Sequence, residues 1–189
     1  MSTVTDPSTE QQLAPSGRSI VLVGLMGAGK SCIGRRLAKR LGLRFVDADS
    51  EIEAAAGCSI PEIFERHGEA AFRDGERKVI ARLLKSGERK VLATGGGAFV
   101  DPATREAIAA AGVSVWLRAD LELLLRRTSR RANRPLLRHG DPRETLTRLI
   151  GERYPLYALA DITIDSLDAP PDETVKLVHE GLERYGALS

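Results

Sequence analysis

The stretch Gly24-Leu-Met-Gly-Ala-Gly-Lys-Ser31 decides the fold of this 189-residue chain. It satisfies G-x-x-x-x-G-K-[ST], the phosphate-binding loop pattern. Immediately before it, Ser19-Ile-Val-Leu-Val23 is a short apolar run that reads as a buried strand. Immediately after it, Ile33, Leu37 and Leu41 recur at helical spacing until Gly42 stops the pattern. This is the strand–loop–helix setting that the motif requires. Gly24, Gly27 and Gly29 let backbone N–H groups turn inward around an anion at a helix N-terminus. Lys30 is placed to reach the β/γ-phosphates and the Ser31 hydroxyl to bind Mg²⁺. An ordinary glycine-rich turn would not need Lys-Ser at these two positions.

Composition narrows the class further. Hydrophobic residues make up 42% and charged residues 29%, ordinary values for a globular protein, and the length suits one domain. A net charge of +2 gives no field that would favour nucleic acid or a membrane surface. The two cysteines, Cys32 and Cys58, fit no metal or redox spacing. Residues 1–17 are polar, unlike a signal or transit peptide, and are expected to form a disordered arm ahead of a single domain over 18–189. No apolar run approaches the roughly 20 residues of a membrane span. The expectation is a cytoplasmic protein without membrane or nucleic-acid partners.

Further along, Leu43–Asp47 reads as a second strand, with helix over Ser50–Ala56. Ser59-Ile-Pro-Glu62 is a capping box opening a helix that breaks near Gly68 and continues to Lys85. Lys90–Thr94 and Val113–Leu117 are strands, separated by a helix that Asp101-Pro102 opens and Gly112 closes. Asp120 caps a helix carrying Leu121, Leu124 and Leu125. Periodicity then fails over about 128–141, an arginine-rich stretch expected to be a mobile lid. A helix from Asp141-Pro142 to about Tyr154-Pro155, a strand over Asp161–Asp165 and a terminal helix capped by Asp172 complete the chain. Strands alternating with helices predict a three-layer α/β/α fold around a five-stranded parallel sheet. Ligands in such sheets bind outside the carboxyl ends of the strands, so Asp47, Asp49, Gly95–Gly97 and the phosphate loop should converge on one crevice.

Each of these groups has both a chemical and an ordinary reading. Asp47 and Asp49, two apart, would share a face on extended chain, one holding a metal-bound water and the other orienting or deprotonating a hydroxyl. The alternative is an aspartate capping the following helix. Arg73 and Glu76, at i and i+3, are by spacing alone a surface ion pair, or else a held arginine gripping an anionic group. Gly95, Gly96 and Gly97 suggest close approach of backbone to a ligand. Arg126, Arg127, Arg130, Arg131, Arg134 and Arg138 could be a solvated face, but in a phosphoryl-transfer protein a lid arginine neutralises transferring charge. His67, His139 and His179 are isolated and read as surface or structural.

Together these residues resemble the shikimate kinase family, within the nucleoside-monophosphate-kinase-like phosphate-loop enzymes. The resemblance rests on six motifs in order: the phosphate loop, Asp47-Ala-Asp49, Phe72-Arg-Asp-Gly-Glu76, Thr94-Gly-Gly-Gly97, Asn133-Arg-Pro-Leu-Leu137 and Glu152-Arg-Tyr-Pro-Leu-Tyr157. It runs from about Ser19 to the terminal helix. It implies transfer of the ATP γ-phosphate to the shikimate 3-hydroxyl, in chorismate and aromatic amino-acid synthesis, by a monomer using Mg²⁺. It also implies roles for individual residues. Gly27, Ala28, Gly29, Lys30, Ser31 and Cys32 would hold the nucleotide phosphates, with Arg127 against the adenine beside the loop after Asp165. Ser31 and Asp47 would serve the metal, and Asp49 would be the base at the reacting hydroxyl. Arg73, supported by Glu76, and Arg153 would bind the carboxylate, with Gly95, Gly96 and Gly97 lining the pocket. Arg134 would close onto the phosphates, which makes Lys30, Asp49 and Arg134 the catalytic group. The competing expectations are a kinase of another small acceptor, such as gluconate or a nucleoside monophosphate, and a nucleotide-switched regulatory or nucleic-acid-binding module. The absence of an N/T-K-x-D signature argues against a GTPase form of the latter.

Overall fold

A computed structural model describes residues 17–129 and 140–188. The chain runs β1 (Ser19–Val23), α1 (Lys30–Leu41), β2 (Arg44–Asp47), α2 (Ala48–Ala56), α3 (Ile60–Lys85) and β3 (Lys90–Ala93). After a 3₁₀ turn at Ala98–Val100 it continues through α4 (Pro102–Ala111), β4 (Gly112–Arg118), α5 (Leu121–Ser129), α6 (Pro142–Tyr157), β5 (Ile162–Asp165) and α7 (Pro171–Tyr185). All pairings are parallel, in the order β2-β3-β1-β4-β5. The expected five-stranded parallel sheet is thus present. β1 and β3 are buried at every residue because helices cover both sheet faces, whereas edge strand β5 alternates buried and exposed. The order reverses about β1, so the loops leaving β1 and β3 open side by side into the switch-point crevice.

Local chemistry sets most boundaries. Ser59 and Glu62 form the full capping box of α3, and Gly68 (φ 79°) breaks that helix at the expected place. Asp101 and Asp120 cap α4 and α5 through the Thr104 and Leu123 amides.

Four helix boundaries differ from the sequence reading. Helix α2 begins at Ala48 rather than Ser50, because Asp47 caps it and Asp49 lies in its first turn. Thr128 remains inside α5, its hydroxyl donating to the Leu124 carbonyl at 2.7 Å, so the aperiodic stretch begins later than residue 128. Asp172 is not a cap: Pro170 precedes the helix, and Pro171, with φ preset and no N–H to lose, opens it. Helix α6 runs past Pro155 to Tyr157, since packing of the Tyr157 ring outweighs the local penalty of a proline near the helix end. Most of the predicted arm (residues 1–16) and of the lid (residues 130–139, with Arg134) lies outside the described residues.

The core has two parts. The larger joins the sheet to its covering helices, with Ile20, Leu22, Leu92, Val115 and Leu117 fully buried. A smaller cluster of Ile52, Ile63, Phe72 and Val79 holds α2 against α3. Among the described residues no helix is long and apolar enough to cross a membrane.

Candidate active site

The donor half is built from the turn between β1 and α1. Gly24 has φ 142°, and a Cβ there would lie 2.7 Å from the Leu117 carbonyl of neighbouring β4. Gly29 enters α1 at φ 99° with no side-chain cap, which leaves the first-turn amides for an anion. The Lys30 ammonium folds back over the loop, donating to the Gly24 and Leu25 carbonyls at 2.6 and 2.9 Å. From the first turn of α1, the Ser31 hydroxyl donates to Asp47 Oδ2 at 2.7 Å. The other Asp47 oxygen accepts the Asp49 amide at 3.1 Å. Asp47 is therefore the helix cap that the sequence left open as the ordinary reading, and it is also the hydrogen-bond partner of the loop serine. Asp47 and Asp49 do not share a face of extended chain.

The outside of the loop is clamped. Arg127 donates to the Gly27 and Ala28 carbonyls, each at 3.3 Å, to the Ser166 hydroxyl at 2.8 Å and to the Leu167 carbonyl at 2.6 Å. Ser166 in turn donates to the Ala28 carbonyl at 2.9 Å. Holding these carbonyls outward leaves the next amides free to face inward. Arg127 thus ties the phosphate loop to the segment after β5, beside which the sequence placed it. Cys32 is exposed on the first turn of α1.

The acceptor half gathers around the glycine triplet after β3. A Cβ at Gly95 would lie 2.9 Å from Asp49 Oδ1 and equally from Glu76 Oε1. At Gly97 it would lie 2.4 Å from the Arg73 guanidinium, and at Gly96 3.3 Å from Arg153 Nη1. Three consecutive glycines are needed because two carboxylates and two arginines crowd onto one short backbone segment. Gly96 also neighbours the Met26 amide and the Gly24 carbonyl, so donor and acceptor halves share a wall.

Arg73 and Glu76 are not a surface pair. Glu76 is 3% exposed and its Oε2 accepts from Arg73 at 2.8 Å, while its Oε1 has no hydrogen-bond partner among the described residues. A buried carboxylate oxygen left open beside Gly95 and Asp49 is costly, and a ligand hydroxyl would satisfy it. Burial pushes the Glu76 carboxyl above its ordinary range, opposed by Arg73. Asp49 is raised in the same way, chiefly by burial and then by Asp47, with Lys30 opposing. Carboxyls displaced by burial and by a named charge partner, inside a crevice, make both groups candidates for chemical work.

Of the sequence-predicted site residues that it describes, the structure brings together Gly27 to Ser31, Asp47, Asp49, Arg73, Glu76, Gly95 to Gly97, Arg127 and Arg153, while Cys32 is exposed on α1. Arg134 lies outside the described residues. The sequence reading missed Ser166 and Tyr157. Ser166 follows Asp165 at the carboxyl end of β5, where the strand-end rule already pointed. Tyr157 closes a motif that had been noted, but no role could be assigned without knowing which backbone it meets. Among the described residues no cluster of three or more His, Cys, Asp or Glu could hold a metal, and the Ser31–Asp47 pair is the oxygen-donor set beside the loop.

A phosphate-binding loop at the switch point of a parallel sheet, facing a pocket of arginines and carboxylates, defines a small phosphate-loop kinase. The family model described as Shikimate kinase matches residues 26–183. Shikimate kinase of Paramagnetospirillum magneticum is 69% identical over 169 residues, covering 89% of this chain and 86% of that protein. The enzyme of Bradyrhizobium diazoefficiens is 60% identical over 181 residues, covering 96% and 86%. The structure of shikimate kinase from Acinetobacter baumannii in complex with shikimate superposes with a TM-score of 0.84 at 41% identity, covering 92% of this chain and 97% of that one. The chain belongs to the shikimate kinase family.

Proposed function

We propose that this protein transfers the γ-phosphate of ATP to the 3-hydroxyl of shikimate, giving shikimate 3-phosphate and ADP for chorismate and aromatic amino-acid synthesis. The observation that carries the reading is the acceptor pocket. Asp49 and the open oxygen of Glu76 flank Gly95, while Arg73 and Arg153 stand against Gly97 and Gly96. Shikimate is a small carboxylate bearing hydroxyls, and these are the complementary groups.

The loop amides and Lys30 hold the ATP phosphates, and Arg127 lies beside the adenine. Ser31 and Asp47 offer hydroxyl and carboxylate oxygens only 2.7 Å apart, which suits Mg²⁺, an ion that prefers oxygen donors and keeps several waters. Mg²⁺, when bound there, neutralises charge on the phosphates. Arg73, braced by Glu76, and Arg153 fix the shikimate carboxylate. Asp49 orients the reacting hydroxyl. The hydroxyl oxygen forms a bond to the γ-phosphorus as the bond to the ADP oxygen breaks, and the proton passes to Asp49. A strong base is unnecessary, because the transition state is loose and positioning dominates. Arg134 is assigned to closure over the transferring phosphoryl. The enzyme works as a cytoplasmic monomer.

A coupled ADP-release assay across shikimate, gluconate and nucleoside monophosphates tests the reading. Turnover with shikimate and none with the others is expected. Turnover on gluconate without turnover on shikimate overturns it.

A further inference from the structure

We infer that Tyr157 is a positioning residue of the acceptor site, locking the Gly96 peptide and the Arg153 guanidinium together through its single hydroxyl. Tyr157 has no exposed surface. Its ring is fixed among Phe99, Trp116 and Tyr154, with centroids 6.5, 5.8 and 6.1 Å away, so only the hydroxyl hydrogen remains free to choose a direction. That hydrogen goes to the Gly96 carbonyl. The phenol oxygen keeps its lone pairs for an N–H donor, and the neighbouring cation is the Arg153 guanidinium, whose Nη1 flanks the same Gly96. Arg153 and Tyr157 stand four residues apart on α6, hence on one face of the helix.

The relay therefore runs from Arg153 through Tyr157 to Gly96. Arg153 Nη1 stands 3.3 Å from where a Gly96 Cβ would be, and on that same side the Met26 amide of the phosphate loop lies at 3.6 Å. A hydroxyl in this place sets both the aim of the arginine and the tilt of the peptide between the two substrates. Burial pushes the phenol up to about 12, so it keeps its proton for this bond throughout the working pH range. An arginine on a flexible stem loses less entropy on binding a carboxylate if it is already held.

The inference rests on the reading of Arg153 as a carboxylate ligand, so the test compares Tyr157→Phe, Arg153→Ala and the double variant. The phenylalanine keeps the ring packing, and emission of Trp116, the single tryptophan, reports whether the cluster survives. Tyr157→Phe is expected to raise KM for shikimate about tenfold, to leave KM for ATP within about twofold, and to preserve the Trp116 emission. In the Arg153→Ala background the same change should have little further effect on KM, because the relay has lost its end. A KM for shikimate unchanged in Tyr157→Phe, equal rises in both KM values, or full additivity in the double variant would each overturn the relay while leaving Arg153 a ligand. An unchanged KM in Arg153→Ala alone defeats the underlying reading of Arg153, and the relay with it.

Discussion

Asp49 illustrates how function at one residue opposes stability. Its carboxyl is raised by burial and by the neighbouring Asp47, so the fold disfavours the charged form that the reaction needs. A carboxyl raised in the folded state contributes stability below its unfolded value, and that contribution is lost as pH climbs through the folded value. At neutral pH the ionised Asp49 is therefore a net burden on the fold. Asp49→Asn should lose turnover by about 10²- to 10⁴-fold with ATP binding kept, while Tm rises at pH 7. The gain in Tm should fade as pH falls below the ordinary carboxylate range, where both proteins carry a neutral group. Thermal melts across pH beside steady-state rates check this, and a lower Tm at pH 7 would refute the assignment of strain. The same raised carboxyl predicts that wild-type kcat/KM falls on the acid side at a pH above the ordinary aspartate value. The role proposed for Asp49 was legible in the sequence as one of two strand-end aspartates. Its partners were not, because Glu76 lies far along the chain and only packing puts its free oxygen across Gly95.

Among the elements, the turn between β1 and α1 shows how much a loop owes to its surroundings. Its glycines give it the permitted conformations, but the direction of its carbonyls is held from outside by Ser166 and Arg127. Ser166→Ala removes one donor to the Ala28 carbonyl and the acceptor of one Arg127 N–H. The expected result is about fivefold weaker ADP binding in a titration, with KM for shikimate unchanged. Equal ADP affinity in variant and wild type would remove Ser166 from the clamp. The capping boxes, proline starts and glycine stops of the helices were readable from local sequence, since each is an interaction within one turn. Ser166 and the extension of α6 past Pro155 were not. Both depend on contacts made across the fold, and the second depends on aromatic packing that offsets a local cost of about 3 kcal/mol.

Over the whole molecule, the separate small core under α2 and α3 gives the acceptor side its own stability. Ile52, Ile63, Phe72 and Val79 pack with one another rather than into the sheet core, and Arg73 and Asp49 are carried on these two helices. Phe72, 5% exposed and 4.6 Å from the Phe64 ring centroid, lies beside Arg73. Phe72→Ala is expected to cost about 3 kcal/mol locally. Native-state hydrogen exchange should then speed up in α2 and α3 while β1, β3 and β4 keep their protection. Uniform acceleration across all elements would show that the two cores unfold as one.

The sequence by itself determined the strand–loop–helix that binds phosphate, the alternation that yields a parallel sheet, and the residue types of both halves of the crevice. These follow from short-range rules: periodicity, caps, turns, and the demand of a phosphate for inward amides. Only the tertiary structure decided that Gly95, Gly96 and Gly97 are spaced to admit Asp49, Glu76, Arg153 and Arg73, that Asp47 both caps α2 and accepts from Ser31, and that the Ser166 and Tyr157 hydroxyls donate to the Ala28 and Gly96 carbonyls. The physical reason is that a parallel sheet brings together chain segments tens of residues apart. The partners of a buried polar group are then set by strand order, on which local sequence carries no information.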